Sequence, residues 1–367
     1  MSVTFADKLT RMPHYEPGTP LEDAQAAAES GDAVKLASNE SPFGPHPKVI
    51  EAINEAAATA NLYPDPTARL LRRRIADRHD VDPARVSLSN GSCEILLAAA
   101  IALCEPDDEI VYAWPSFSMY PYLPALSGAR EIRVPLAEGY VHDLAAMREE
   151  VTAATQLLIV CNPNNPTGTY LSAERIADFC ADVPDRVTLI LDEAYIEFQA
   201  GDDPDATVEL LDRHPNLVLL RTFSKCYGLA GLRIGYSLSA PEFRAAVDAV
   251  RQPYSINSIA QAAAAEAILH QDDVVSRVEK NLAERMWVEE ELRGLGLEAP
   301  ASQANFSWVA LGDRDEGDVL EELARAGIAV RGGSPLGGPG HFRVTYGTRP
   351  QNEKFIAALR EVLQISQ

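Results

Sequence analysis

Residues 217–236 read LVLLRTFSKCYGLAGLRIGY. The opening apolar run has the length and composition of a strand buried on both faces. Lys225 follows it directly and is one of only six lysines in the chain. A lysine desolvated at the end of such a strand has a lowered pKa, so its amine is a nucleophile able to condense with a carbonyl. The alternative is an exposed lysine in a loop. Arg233 lies eight residues on, past Gly228 and Gly231 and just before Gly235, three glycines that permit close backbone approach.

The same alternation extends outward. VSLSN (86–90), EIVYA (109–113), LLIVCN (157–162) and VTLILDEAY (187–195) are further strand candidates, with helical patterns at 93–104, 172–181 and 241–250. Strands alternating with helices predict an α/β fold, its sheet mostly parallel and covered on both faces. The last third changes character. A long charged helical stretch (257–298) precedes FSWVAL (306–311), a helix at 316–326, IAVRGG (328–333), a glycine-rich loop (332–340), FRVTYG (342–347) and a final helix at 351–365. That pattern predicts a smaller α+β domain. The expected division is an arm at 1–30, a small domain from 31–47 and 251–367, and a large domain at 48–250.

Composition narrows the function. With 367 residues, 46% of them hydrophobic, the chain can bury a large core. Its five cysteines are scattered and odd in number, which argues against a disulfide scaffold or a cysteine zinc site. The first thirty residues contain charges and prolines in place of an apolar run, and no stretch is long enough to span a bilayer. The expectation is a cytoplasmic protein. A net charge of −22 disfavours nucleic acid and anionic membranes as partners. The Lys-poor, acidic balance fits a high-salt habitat or simply an Arg- and Asp-rich coding bias.

In open α/β sheets ligands sit beyond the carboxyl ends of the strands, and the unusual clusters fall there. NGSCE (90–94) opens a helix, either as an anion site built from backbone N–H groups or as a cap made by Ser92. NPNNPTG (162–168) is a rigid two-proline loop, structural or functional. Asp192 ends an apolar run, so its charge needs a partner unless it caps a helix.

Together an anion-binding turn, a lysine amine and a carboxylate that can pair with a ring nitrogen are what pyridoxal phosphate needs. With the aromatic WPSF (114–117), the chain resembles the fold-type I pyridoxal-phosphate-dependent aminotransferases, and within them the histidinol-phosphate aminotransferase family. The resemblance runs from HYEPG (14–18) and LASNESPFGP (36–45) through LYPDP (62–66) to FRVTYGTR (342–349).

The resemblance implies roles. Lys225 would carry the cofactor covalently and shuttle protons. Asp192 would pair with the pyridine nitrogen, Asn165 and Tyr195 would bond the ring's 3′-oxygen, and Phe117 would stack on the ring where many relatives have Tyr. Ser92 and Cys93 through backbone N–H groups, with Thr222, Ser224 and Arg233, would bind the phosphate. Tyr63 would reach that phosphate from the other subunit of a homodimer with shared sites. Cys93 departs from the Asp of many relatives. Arg331, Arg343 and Tyr15 match positions that bind the anionic end of the substrate. The implied reaction, in histidine biosynthesis, is histidinol phosphate plus 2-oxoglutarate to imidazole-acetol phosphate plus L-glutamate. Its small-molecule partners are thus an amino donor and a 2-oxo acid. Two related readings stay open: an aromatic amino acid aminotransferase, and a lyase on the same scaffold such as threonine-phosphate decarboxylase. A cofactor-binding DNA regulator does not fit, because the arm has no room for a DNA-binding segment.

Overall fold

In the computed structural model, which describes residues 3–14 and 16–365, twelve strands form three sheets. They are β1 (Val34–Lys35), β2 (Val86–Ser89), β3 (Glu109–Trp114), β4 (Arg130–Pro135), β5 (Thr155–Cys161), β6 (Thr188–Asp192), β7 (Leu217–Thr222), β8 (Gly235–Leu238), β9 (Phe306–Ala310), β10 (Ile328–Ala329), β11 (Arg331–Gly332) and β12 (His341–Thr345). Seven build the central sheet in the order β2-β8-β7-β6-β5-β3-β4. Its ladders from β7 to β4 are parallel, and β8 runs antiparallel to both neighbours.

The parallel strands are apolar throughout because both faces are covered. In β5, Leu158 and Val160 join one core while Leu157, Ile159 and Cys161 join the other. Successive side chains of a strand point to opposite faces, so a continuous apolar run fills two layers. The smaller unit has the antiparallel sheet β11-β12-β9 and the β1–β10 pair. The segment IAVRGG holds two short strands: β10 pairs with β1, and β11 pairs with β12.

The expected boundary near 250 moves. Ile256 and the helix Ser258–Ala267 pack into the core of the large sheet, and the helix Gln271–Gly294 supplies Val274 to that core but Val288 and Leu292 to the small one. The division by packing thus lies inside that helix. The long stretch 257–298 is also two helices, interrupted at 268–270. No described helix is long and apolar enough to cross a membrane.

Candidate active site

The carboxyl ends of β2, β3, β5, β6 and β7 share one edge of the sheet, and the loops leaving them surround a cavity of 510 Å³. Its floor is the end of β6 and the turn after β7. Asp192 is buried there and accepts from the Tyr120 hydroxyl at 2.9 Å and from the Ala194 N–H at 3.3 Å. Burial penalises its charge and pushes its pKa up to about 6, while the Tyr120 bond works the other way. The Lys225 ammonium group donates to the Ser38 carbonyl at 3.1 Å and lies 5.7 Å from the Tyr195 ring. Desolvation, then repulsion from Arg343, lowers its pKa to about 7. A nucleophilic amine and a buried carboxylate thus share one chamber.

One wall gathers hydrogen-bond donors. Ser92 and Cys93 begin the helix Ser92–Leu103, whose cap is Gly91, so the sequence reading of Ser92 as the cap does not hold. Gly91 adopts φ +76°, and a Cβ there would run into Arg233 Nη2. A Cβ on Gly235 would meet the Ser92 nitrogen at 2.5 Å. These two glycines let the helix start, β8 and the Arg233 guanidinium converge. Gly231, by contrast, borders open space, so no close approach requires it. Arg233 Nη1 donates to Ser224 Oγ at 3.3 Å, and the Ser224 N–H donates to Thr222 Oγ1 at 3.1 Å. Helix N–H groups, a hydroxyl and a guanidinium on one patch form an anion cradle. Cys93 lines the cavity, and burial raises its thiol pKa, keeping it protonated.

The opposite wall comes from the small unit. Arg343 on β12 is buried; it donates to Asn165 Oδ1 at 2.5 Å and to the Ala37 carbonyl at 2.9 Å. Arg331, its cross-strand partner on β11, donates to the carbonyls of Pro17 at 2.6 Å and Glu16. Phe117 lines the cavity and meets Tyr120 edge-on.

Twelve of the fourteen site residues expected from sequence line this cavity. Tyr63 does not: it is 84% exposed and packs on Tyr254, ring centroids 4.8 Å apart. Tyr15 lies outside the described residues. The sequence reading missed Tyr120 and Asn39. Asn39 is buried at φ +54°, donates to the Tyr195 hydroxyl at 2.9 Å and is held by Thr345 and Asn305. Such a left-handed buried residue at a cavity marks backbone strain held by its surroundings.

A family model, aminotransferase class I and II, matches residues 31–359. The histidinol-phosphate aminotransferase of Moorella thermoacetica is 40% identical over 350 residues, covering 95% of this chain and 90% of that protein. An aromatic amino acid aminotransferase of Thermobifida fusca is 42% identical over 355 residues, covering 96% and 95%. The crystal structure of histidinol-phosphate aminotransferase from Sinorhizobium meliloti in complex with pyridoxal-5′-phosphate matches with a TM-score of 0.90 at 30% identity, covering 100% of this chain and 99% of that one.

Proposed function

The chain belongs to the class I and II aminotransferases, and on that premise we propose that it moves the amino group of histidinol phosphate to 2-oxoglutarate, with pyridoxal phosphate as its resident cofactor. The observation that carries this reading is the pairing, in one cavity, of a lysine amine poised near neutrality with a buried carboxylate.

The donor set fits the cofactor. The convergence of Gly91, Gly235 and Arg233 leaves a cradle of backbone N–H groups and cation suited to a phosphate. Asp192 takes its hydrogen bonds from a hydroxyl and a backbone N–H, so a protonated ring nitrogen would supply the opposite charge a buried carboxylate needs. When bound, the cofactor supplies a carbonyl that condenses with amines and a ring that draws electrons from the substrate Cα.

The chain's own residues do the rest. Lys225 Nζ would hold the cofactor and then move the proton at the substrate Cα, the general acid–base role its lowered pKa suits. Asp192 would keep the ring nitrogen protonated. Asn165 and Tyr195 would bond the 3′-oxygen and Phe117 would cover the ring face. Ser92, Cys93, Thr222, Ser224 and Arg233 would take the phosphate.

Arg343 and Arg331 are the substrate's anion handles. A guanidinium fork binds carboxylate or phosphate bidentately, so one pair serves glutamate and a phosphorylated amine in turn. Arg331 also ties the site to the arm through its bonds to Glu16 and Pro17. Tyr63, exposed on this chain, would complete the phosphate site of a second copy in a homodimer.

A second reading, aromatic amino acid transfer, is supported by relatives so named at equal identity. A donor panel with 2-oxoglutarate as acceptor decides between them. Histidinol phosphate with the highest kcat/KM supports the first reading; phenylalanine or tyrosine ahead of it replaces that reading with the second.

A further inference from the structure

Beneath the cavity floor lies a buried ionic network outside the cavity lining. Asp192 and Glu193 are consecutive, as are Arg221 and Thr222. In extended chain neighbours point to opposite sides. Asp192 and Thr222 accordingly face the cavity, while Glu193 and Arg221 face the reverse, 0% and 3% exposed. Ladder pairing brings Asp192 level with Leu220, and the Glu193 N–H continues it onto the Leu220 carbonyl at 2.8 Å. Glu193 therefore meets Arg221 one step on.

Every polar end of this pair is used. Arg221 Nε donates to Glu193 Oε2 at 2.8 Å, Nη1 to Asp205 Oδ1 at 2.7 Å and Nη2 to the Pro204 carbonyl at 2.6 Å. Thr207 donates to Glu193 Oε1 at 2.6 Å. Asp205 is shared further with Arg78 at 2.6 Å and with His79 Nδ1 at 3.1 Å. His79 Nε2 in turn lies 2.9 Å from the Tyr236 hydroxyl, and Tyr236 is the cross-strand partner of Arg221 on β8. The network joins the ends of β6, β7 and β8, the three strands that carry Asp192, the Thr222–Lys225 turn and the Gly235 approach to the helix start.

A buried ion pair is weak support for stability, since apolar replacements of similar volume are often as stable; its attested use is to specify one arrangement. We propose that Arg221 and Glu193 are positioning residues of the active site: their pair fixes the ends of β6 and β7 so that the Asp192 carboxylate and the phosphate-side turn keep one relation. This rests on the cofactor reading above. Neither residue touches the cavity, so their effect passes through Asp192 and Thr222.

Three readouts separate positioning from simple support: the Kd of the apoprotein for pyridoxal phosphate, the pH midpoint of the loaded protein's visible absorbance, and kcat against KM. Glu193→Gln keeps the shape and removes the charge. It should weaken cofactor binding about tenfold, the fold-change one charged hydrogen bond represents, with a displaced absorbance midpoint and a lower kcat at nearly unchanged KM. The double variant Glu193→Leu/Arg221→Met removes both charges, and should recover the melting temperature but not the Kd or the midpoint. Thr207→Val, which removes one bond to Glu193, should move both readouts in the same direction by less, and it carries the test if Glu193→Gln does not fold. Folded variants with wild-type Kd and midpoint, whatever their melting temperature, overturn the proposal. Asp192→Ala is the control: if it too binds cofactor with wild-type Kd and spectrum, the cofactor reading itself has failed.

Discussion

The Tyr120 hydroxyl donates to Asp192 Oδ2 at 2.9 Å in a fully buried contact, and the Tyr120 ring meets Phe117 edge-on with centroids 5.7 Å apart. One side chain thus steadies both the carboxylate and the aromatic proposed to flank the cofactor ring.

Tyr120→Phe removes only the hydroxyl. A hydrogen bond to a charged group contributes about 1.5–3 kcal/mol, so kcat/KM should fall roughly 10–100-fold. The bond also holds the Asp192 pKa down, so its loss should move the acid limb of the rate profile to higher pH. Steady-state rates across pH check both effects; an unchanged acid limb would separate Tyr120 from the chemistry.

The Lys225 amine, with its pKa lowered to about 7, should set the pH dependence of cofactor capture. Only the neutral amine attacks a carbonyl. The rate at which visible absorbance develops on mixing apoprotein with pyridoxal phosphate should rise through pH 7 and level off above it. The stability effect has a definite sign. The folded pKa lies below the unfolded value of 10.5, so between these values the unfolded chain binds the extra proton and stability rises with pH. This contribution is lost as pH falls through 7. It should be visible as a wild-type apoprotein melting temperature that rises relative to that of Lys225→Met from pH 7 to pH 9.

Gly235→Ala tests the anion cradle. The new Cβ would meet the Ser92 nitrogen at 2.5 Å, and that neighbour is backbone, which cannot swing aside. Overpacking of this kind destabilises by about 1–3 kcal/mol. Calorimetry should record a lower melting temperature together with a weaker Kd for pyridoxal phosphate. A variant that loses stability but binds the cofactor normally would move the phosphate elsewhere.

Tyr63, exposed against Tyr254, is expected to serve a second copy of the chain. Inactive Tyr63→Ala and Lys225→Ala proteins, mixed and allowed to re-associate, should regain activity, because one site of each mixed dimer carries neither change. Mixed dimers that form but stay inactive would show that the sites are not shared in this way.

Much of this was legible in the sequence for a simple reason. Strands covered on both faces are unbroken apolar runs, and a charge at their end, Asp192 or Lys225, stands out. The edge strand β4 was missed because REIRVP has only two apolar residues, Ile132 and Val134, an alternation too short to stand out, and buries only Val134 well. Tyr120 was hidden among neighbouring aromatics; its partner is 72 residues away. Asn39 donates its N–H to Thr345 and accepts from Asn305, both more than 260 residues away, so no local pattern could single it out. The boundary near 250 failed because one continuous helix, Gln271–Gly294, feeds both cores.

Lys225 is the lysine proposed to carry the cofactor. Borohydride reduction of the protein loaded with pyridoxal phosphate, followed by peptide mass mapping, reads it directly. The pyridoxyl mass should fall on the peptide containing Lys225, with Lys8, Lys35, Lys48, Lys280 and Lys354 unmodified. The label on one of those five instead, or on none of the six, would contradict it.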